Sequence, residues 1–214
     1  VRFLKRHYHL VGVGQVIAAR RGEGKLPPRA LLITFDDGWA DNVDHALPVL
    51  RAENAPALLF VVADAVGRDR PFFQEELVAA WRSGRLGVPQ ARALARVIGA
   101  ADPGEAPEGL GWLRTLIAAL EALPPAERES ALAPYAAILR DGIRHMVSAE
   151  ELARWRSGAI ALGLHGKTHT PMTKAADVDA ELDGARQSLA RLLSVPAQDL
   201  ATLSFPHGRW TPAI

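Results

Sequence analysis

An α/β fold built on parallel strands is the expectation for this chain, and three features of its sequence carry it. Short, wholly apolar or β-favouring runs stand at residues 30–35, 57–63 and 159–164, as strands buried on both faces require. The segments between them have helical spacing. Polar residues capable of chemistry gather just after apolar runs, as "DDG", "HGKTH" and "SFPHG", and parallel sheets place their ligands at the C-terminal ends of strands.

Each element has its own grounds. The run Ala30 to Phe35 follows the loop "GEGKLPPR" and reads as a buried strand. "DNVDHALPVLRAEN" reads as a helix with Val43, Leu47 and Leu50 on one face, although Pro48 sits awkwardly in its middle. "ALLFVVA" (57–63) is the second strand. Strand, helix, strand of these lengths is a βαβ unit, so a parallel sheet or barrel follows. From about Phe72 to Trp155 the chain is rich in Ala, Leu and Arg at helical spacing, and reads as a helical insertion in a single domain spanning 1–214. "ADPGEAPEG" (101–109) is its loop. In "VSAEELARWRSG" Ser148 can cap a helix, Glu151 can complete a capping box, and Gly158 is the stop. "AIALGL" (159–164) is the next strand. Thr173 is the expected cap of an amphipathic helix, with Val178, Leu182, Ala185, Leu189 and Leu192 facing the core. "ATLSFPHG" (201–208) is a further strand ending in polar residues.

Composition narrows the classes of function. A chain of 214 residues with 49% hydrophobic and 23% charged residues suits one globular domain. No cysteine is present, which excludes disulfides and thiolate metal sites. A net charge of +1 gives no reason to expect nucleic acid or an anionic membrane as partner, and no apolar stretch reaches the length of a membrane span. The opening "VRFLKRHYHLVGVG" is basic and then apolar, but its apolar part is short and broken by glycine, with no clear cleavage site after it. The compartment stays open between the cytoplasm and export on a leader outside this chain.

The three polar clusters put Asp36, Asp37, His165, His169 and His207 at one rim of one sheet. Alone, "DDG" and "FPHG" are ordinary turn chemistry, and two histidines four apart are ordinary decoration. Their order and shared placement make them specific. Two imidazoles and a carboxylate suit a divalent transition ion with open positions for water and substrate. Neighbouring side chains alternate along a strand, but at its end that alternation breaks down, so one aspartate can bind the ion while the other serves as a base. His7, His9, His45 and His145 have no such setting.

In this order the motifs resemble those of the polysaccharide deacetylases, the NodB-homology group of carbohydrate esterases: "ITFDDG" (33–38), "LGLHGKTHTPMT" (162–173) and "LSFPHGRW" (203–210). The likeness extends through "DNVDHALPVLRAENAPALLFVVADAV" and "HMVSAEELARWRSGAIALGLHGKTH", over most of residues 29–212. It implies a deformed (β/α) barrel, a TIM-like barrel, and metal-dependent hydrolysis of an N-acetyl, sometimes O-acetyl, group on a sugar. It implies Asp37, His165 and His169 as ligands of one divalent ion, usually zinc, with cobalt, nickel or iron also suited to the set. Asp36 is then the general base, and the backbone N–H of His207 helps hold the oxyanion. Pro206 and Gly208 flank it at the substrate. Trp39, Phe72, Phe73 and Trp210 are the aromatic candidates for sugar contact.

Two departures stand out. Ser204 occupies the place of an arginine that orients the catalytic aspartate, and Gly166 replaces a Ser or Thr after the first metal histidine. The family's later strands and late general-acid histidine have no counterpart before Ile214, which leaves His207 as the candidate acid. The barrel is accordingly expected to be incomplete at its C-terminal end, with an edge that needs covering by a second copy of the chain, by a swapped segment or by residues outside this chain. The departures also fit a sugar-binding domain with a vestigial metal site, and the helical insertion, if it roofs the site, fits a small-amide C–N hydrolase on the same scaffold.

Overall fold

The structure is a computed structural model and describes residues 1–104, 109–156 and 160–212. Two compact units make up the chain: Val1–Arg68 with Arg144–Ile214, and Asp69–Ile143.

The first unit is mixed α/β. Its strands are β1 (His9–Leu10), β2 (Ala30–Leu31), β3 (Ile33–Phe35), β4 (Ala57–Val61) and β5 (Ile160–Leu164). β1 and β2 pair in parallel, and β3-β4-β5 form a second parallel sheet with β4 in the centre. Position at the centre explains the unbroken apolar run of β4, since Ala57, Leu58, Leu59 and Val61 are all fully buried. The single strand expected over 30–35 is two short ones, because the run changes partner at Leu32, from β1 to β4. After β5 the run at 201–208 is reduced to an isolated parallel bridge, Leu203 to Leu164. Among the described residues the strands form these two sheets and no closed ring.

The helix after β3 begins as a π-helical turn, Asn42–Ala46, and becomes α-helical over Leu47–Ala52. Pro48 therefore lies in the first turn of the α-segment, where a missing N–H costs little. Val43, Leu47 and Leu50 are buried as expected. Helix Ala149–Trp155 starts on the predicted capping box: the Glu151 N–H donates to Ser148 Oγ (3.3 Å) and the Ser148 N–H to Glu151 Oε2 (2.9 Å). Its stop at Gly158 lies outside the described residues, as does Ala159 before β5. Trp155 fills the core, edge-on to Phe35 at 5.6 Å, and its indole N–H donates to the Ala161 carbonyl.

The expected Thr173 cap is corrected. Thr173 lies in a 3-10 turn, Met172–Lys174, that buries Met172, and the helix starts afresh at Val178–Leu193. Asp177 caps it by accepting from the Ala180 N–H (2.9 Å). Its buried stripe is Glu181, Ala185 and Leu189, and Leu192, expected on that face, is exposed.

The second unit is helical among its described residues: Phe73–Arg82, Val88–Val97, Gly111–Ala122, Pro125–Leu132 and Ala136–Leu139. It has its own core around Leu77, Leu94, Leu113, Leu116 and Leu120. Phe72 is buried, and Phe73, packed against that core, carries the Arg128 guanidinium over its ring at 4.8 Å. Against the insertion read at about 72–155, helix Ala149–Trp155 packs in the first unit through Leu152 and Trp155. Residues 105–108 of the "ADPGEAPEG" loop lie outside the described residues. No helix among the described residues is long and apolar enough to cross a membrane.

Gly163 tests the packing just ahead of the site. It pairs with Phe60, and an added Cβ would lie 2.5 Å from Thr202 Oγ1 and 2.7 Å from Phe60 Cδ1. Gly163→Ala is expected to destabilise by about 1–3 kcal/mol through overpacking. The check is a urea titration, with a lower midpoint and an unchanged slope.

Candidate functional site

Two strand ends and the bridged segment after Leu203 build the site. β3 stops at Phe35, and the next residues leave the strand: Asp37 has φ +74° and Gly38 φ +91°. This left-handed turn frees the two aspartates from strand alternation. Asp36 stays exposed, while Asp37 turns inward and is half-buried. β5 delivers His165 into a buried position, and after the three-residue loop 166–168 comes His169, itself at φ +69°. Asp37 Oδ1 lies 3.2 Å from His165 Nε2 and 3.3 Å from His169 Nε2. Its other oxygen, Oδ2, accepts from the Trp39 indole N–H (2.9 Å). Among the described residues Asp37, His165 and His169 form the one group of three with metal-ligating atoms this close, all within 4.8 Å of one another.

The tautomer of His165 gives this geometry its meaning. Its Nδ1 lies 2.9 Å from the Ser204 carbonyl oxygen, which can only accept, so Nδ1 carries a proton. In the neutral ring Nε2 then presents a lone pair to a carboxylate oxygen at 3.2 Å. Two acceptors face to face repel unless a proton or a cation stands between them. The chemistry of the donor set suits a cation: donors about 2.0–2.1 Å from a tetrahedral zinc ion stand about 3.3 Å apart, close to the two Asp37–histidine separations. Without an ion, a proton takes that role. Burial disfavours a charged His165, but the hydrogen bond with Asp37, the Ser204 carbonyl and the charges of Asp36 and Asp37 outweigh it and raise its pKa above 6.5. Burial likewise disfavours ionised Asp37, yet hydrogen bonds from His165, then His169 and Trp39, hold its carboxyl well below the usual carboxylate range.

The third cluster completes the surround. The parallel bridge at Leu203 brings Ser204 over β5, and the Ser204 hydroxyl reaches Asp36 Oδ2 in a long hydrogen bond (3.4 Å). The position that holds an orienting arginine in the resembled family thus touches the same aspartate through a weaker donor. Pro206–Gly208 form a tight turn with His207 at φ +57°. Pro206 is buried, and the exposed His207 ring stacks on His169 at 4.6 Å and 29°. Trp210 is exposed, with Phe205 nearly parallel to it at 6.5 Å. Trp39, by contrast, directs its polar edge at Asp37.

Two contributors escaped the sequence reading. The Ser204 carbonyl is backbone and leaves no side-chain signature. Glu181 did leave one, an acid on the core stripe with Ala185 and Leu189, and its carboxylate accepts from Lys167 and Thr168 in the loop between the histidines.

Comparison with known proteins agrees with the motifs. The polysaccharide deacetylase family model matches residues 23–93. A candidate polysaccharide deacetylase, YxkH of Bacillus subtilis (strain 168), is 35% identical over 49 residues, 23% of this chain and 18% of that protein. The Streptococcus pyogenes deacetylase PplD, solved in complex with acetate, superposes with a TM-score of 0.54 at 13% identity, over 97% of this chain and 59% of that one. IcaB from Ammonifex degensii gives 0.52 at 19% identity, over 99% and 65%. At these identities the structural likeness establishes the fold, and the chain spans less than two thirds of each of these proteins. The resemblance to polysaccharide deacetylases is borne out.

In the metal-free protein the His165–Asp37 pair is strongest between the ordinary Asp value of 3.8 and the ordinary His value of 6.5. It weakens as pH rises through the raised His165 pKa, and as pH falls through the depressed Asp37 pKa. An NMR titration of the His165 ring is expected to give a midpoint above 6.5, and a lower one in Asp37→Asn.

Proposed function

We propose that this chain is a metal-dependent hydrolase that removes N-acetyl groups from a carbohydrate, a polysaccharide or oligosaccharide deacetylase, on a parallel sheet that is part of a deformed (β/α) barrel. The observation that carries the reading is the opposed pair of acceptors, His165 Nε2 and Asp37 Oδ1, with His169 Nε2 beside them. Asp37, His165 and His169 would hold one divalent ion, zinc first among those that suit the set. Such an ion supplies Lewis acidity, favouring water as a nucleophile at neutral pH and drawing electron density from an acetyl carbonyl.

The chain's own residues do the rest. Asp36 is exposed next to the ligand group, touched by the Ser204 hydroxyl, and serves as the base that takes the attacking water's proton. The His207 backbone N–H, in a turn shaped by Pro206 and Gly208, is the donor for the developing oxyanion. As the C–N bond breaks, the amine nitrogen needs a proton, and the His207 ring, which stacks on His169, is the candidate to give it. Acetate and a free amine leave. The exposed Trp210 face, with Phe205 behind it, offers a stacking surface for a sugar ring.

Acetate release from N-acetylglucosamine oligomers by metal-loaded protein tests this. Asp36→Asn is expected to lower the rate by about 10²–10⁴-fold while the ion stays bound. His165→Ala should lose both ion and activity. Unchanged acetate release in both variants would falsify the reading, and sugar binding without acetate would favour a non-catalytic sugar-binding domain.

A further inference from the structure

We propose that Glu181 is a positioning residue whose carboxylate fixes the loop between the two histidines and thereby sets the place of His169. The inference rests on the metal reading for its consequence, but its geometry stands alone. Glu181 lies in the first turn of helix Val178–Leu193, one turn above Ala185 and two above Leu189, so the core anchors its backbone. Its side chain is buried, and among the described residues its carboxylate takes three hydrogen bonds, each from the loop. Oε2 accepts from the Lys167 N–H (2.9 Å) and the Thr168 N–H (3.0 Å), and Oε1 from the Thr168 hydroxyl (2.6 Å).

The opposite edge of the same loop is held by backbone. The Ala63 N–H donates to the Gly166 carbonyl (3.2 Å) and the Asp64 N–H to the Lys167 carbonyl (2.9 Å). The peptides from Gly166 to Thr168 are thus gripped from both sides. His169, the next residue, has a left-handed backbone that a non-glycine residue keeps only when its surroundings enforce it. Gly166 makes room for the arrangement. It too is left-handed (φ +76°), and a Cβ there would stand 3.3 Å from Glu181 Oε2 and 3.2 Å from Pro206 Cγ. Glycine in place of the Ser or Thr of the resembled family therefore goes with a carboxylate pressed against the loop.

Reach and charge can be separated. Glu181→Gln keeps the length and one acceptor oxygen for the two N–H groups, but loses the charge. Glu181→Asp keeps the charge and falls one methylene short. Zn2+ and Co2+ dissociation constants, measured by chelator competition, are expected to stay within about threefold in Glu181→Gln and to weaken about 10–100-fold in Glu181→Asp and Glu181→Ala. Wild-type affinity in Glu181→Asp, or a loss in Glu181→Gln equal to that in Glu181→Ala, overturns the proposal. If Glu181→Ala fails to fold, the Gln and Asp pair decides. Amide hydrogen exchange of metal-free protein supplies the readout that needs no ion: the Lys167 and Thr168 amides should be protected in wild type and Glu181→Gln, and open in Glu181→Asp. A wild-type protein that takes up neither ion defeats the metal reading, while the exchange pattern still upholds or overturns the grip on the loop.

Discussion

One hydrogen bond sets the terms for the whole site: His165 Nδ1–H to the Ser204 carbonyl. It fixes which nitrogen of the ring carries the proton, and so which nitrogen is left to face Asp37. Everything needed to make that bond is backbone. β5 must run in register with β4, the Leu164 N–H must bond to the Thr202 carbonyl, and the Ser204 N–H must bond to the Leu164 carbonyl. A bridge of a single residue pair is enough, because it acts at the last residue of the strand, beside His165. Fixing the tautomer of a metal histidine through a carbonyl on its far nitrogen is a common device. Here it also makes the Asp37–His165 contact unfavourable for the neutral ring alone.

Unusual backbone conformation concentrates at the same place. Of the six non-glycine residues with left-handed φ among the described residues, Asp37, His169 and His207 are three, one from each polar cluster. Each such residue costs of the order of 1–3 kcal/mol and persists only where the surroundings over-determine it. The surroundings are identifiable. The Asp37 carbonyl accepts from the Val62 N–H at the end of β4, Glu181 grips the loop before His169, and the buried Pro206 seats the turn that carries His207. Strand ends deliver the chain to the rim, and left-handed turns then aim the side chains where an extended backbone could not.

Much of this was legible in the sequence. Apolar runs located β4 and β5, because strands buried on both faces admit few polar residues, and the three clusters after apolar runs named the residues that meet. The capping box at Ser148 and Glu151 was readable because it is a local pattern. What misled was local chemistry overruled by packing. Thr173 has the side chain of a cap, but burial of Met172 in the preceding turn moves the helix start to Asp177. The run at 30–35 is uniformly apolar, so nothing in it marks the change of partner at Leu32. Contributions from carbonyl groups, above all that of Ser204, have no residue type to betray them.

Adjacent aspartates at a strand end pose an electrostatic problem that the structure resolves by giving them different surroundings. Asp37 is enclosed, and its charge is opposed by two imidazoles and an indole N–H. Asp36 remains exposed, where water screens it and the Ser204 hydroxyl reaches it at 3.4 Å. A cation between Asp37 and the histidines would favour the ionised form of Asp37, since opposite charge within a few ångströms stabilises the anion. In the proposed role of base, Asp36 would act by proximity to the water it deprotonates. Its orientation then matters, and Ser204, whose hydroxyl reaches Asp36 Oδ2, is the neighbour with the most direct bearing on that orientation.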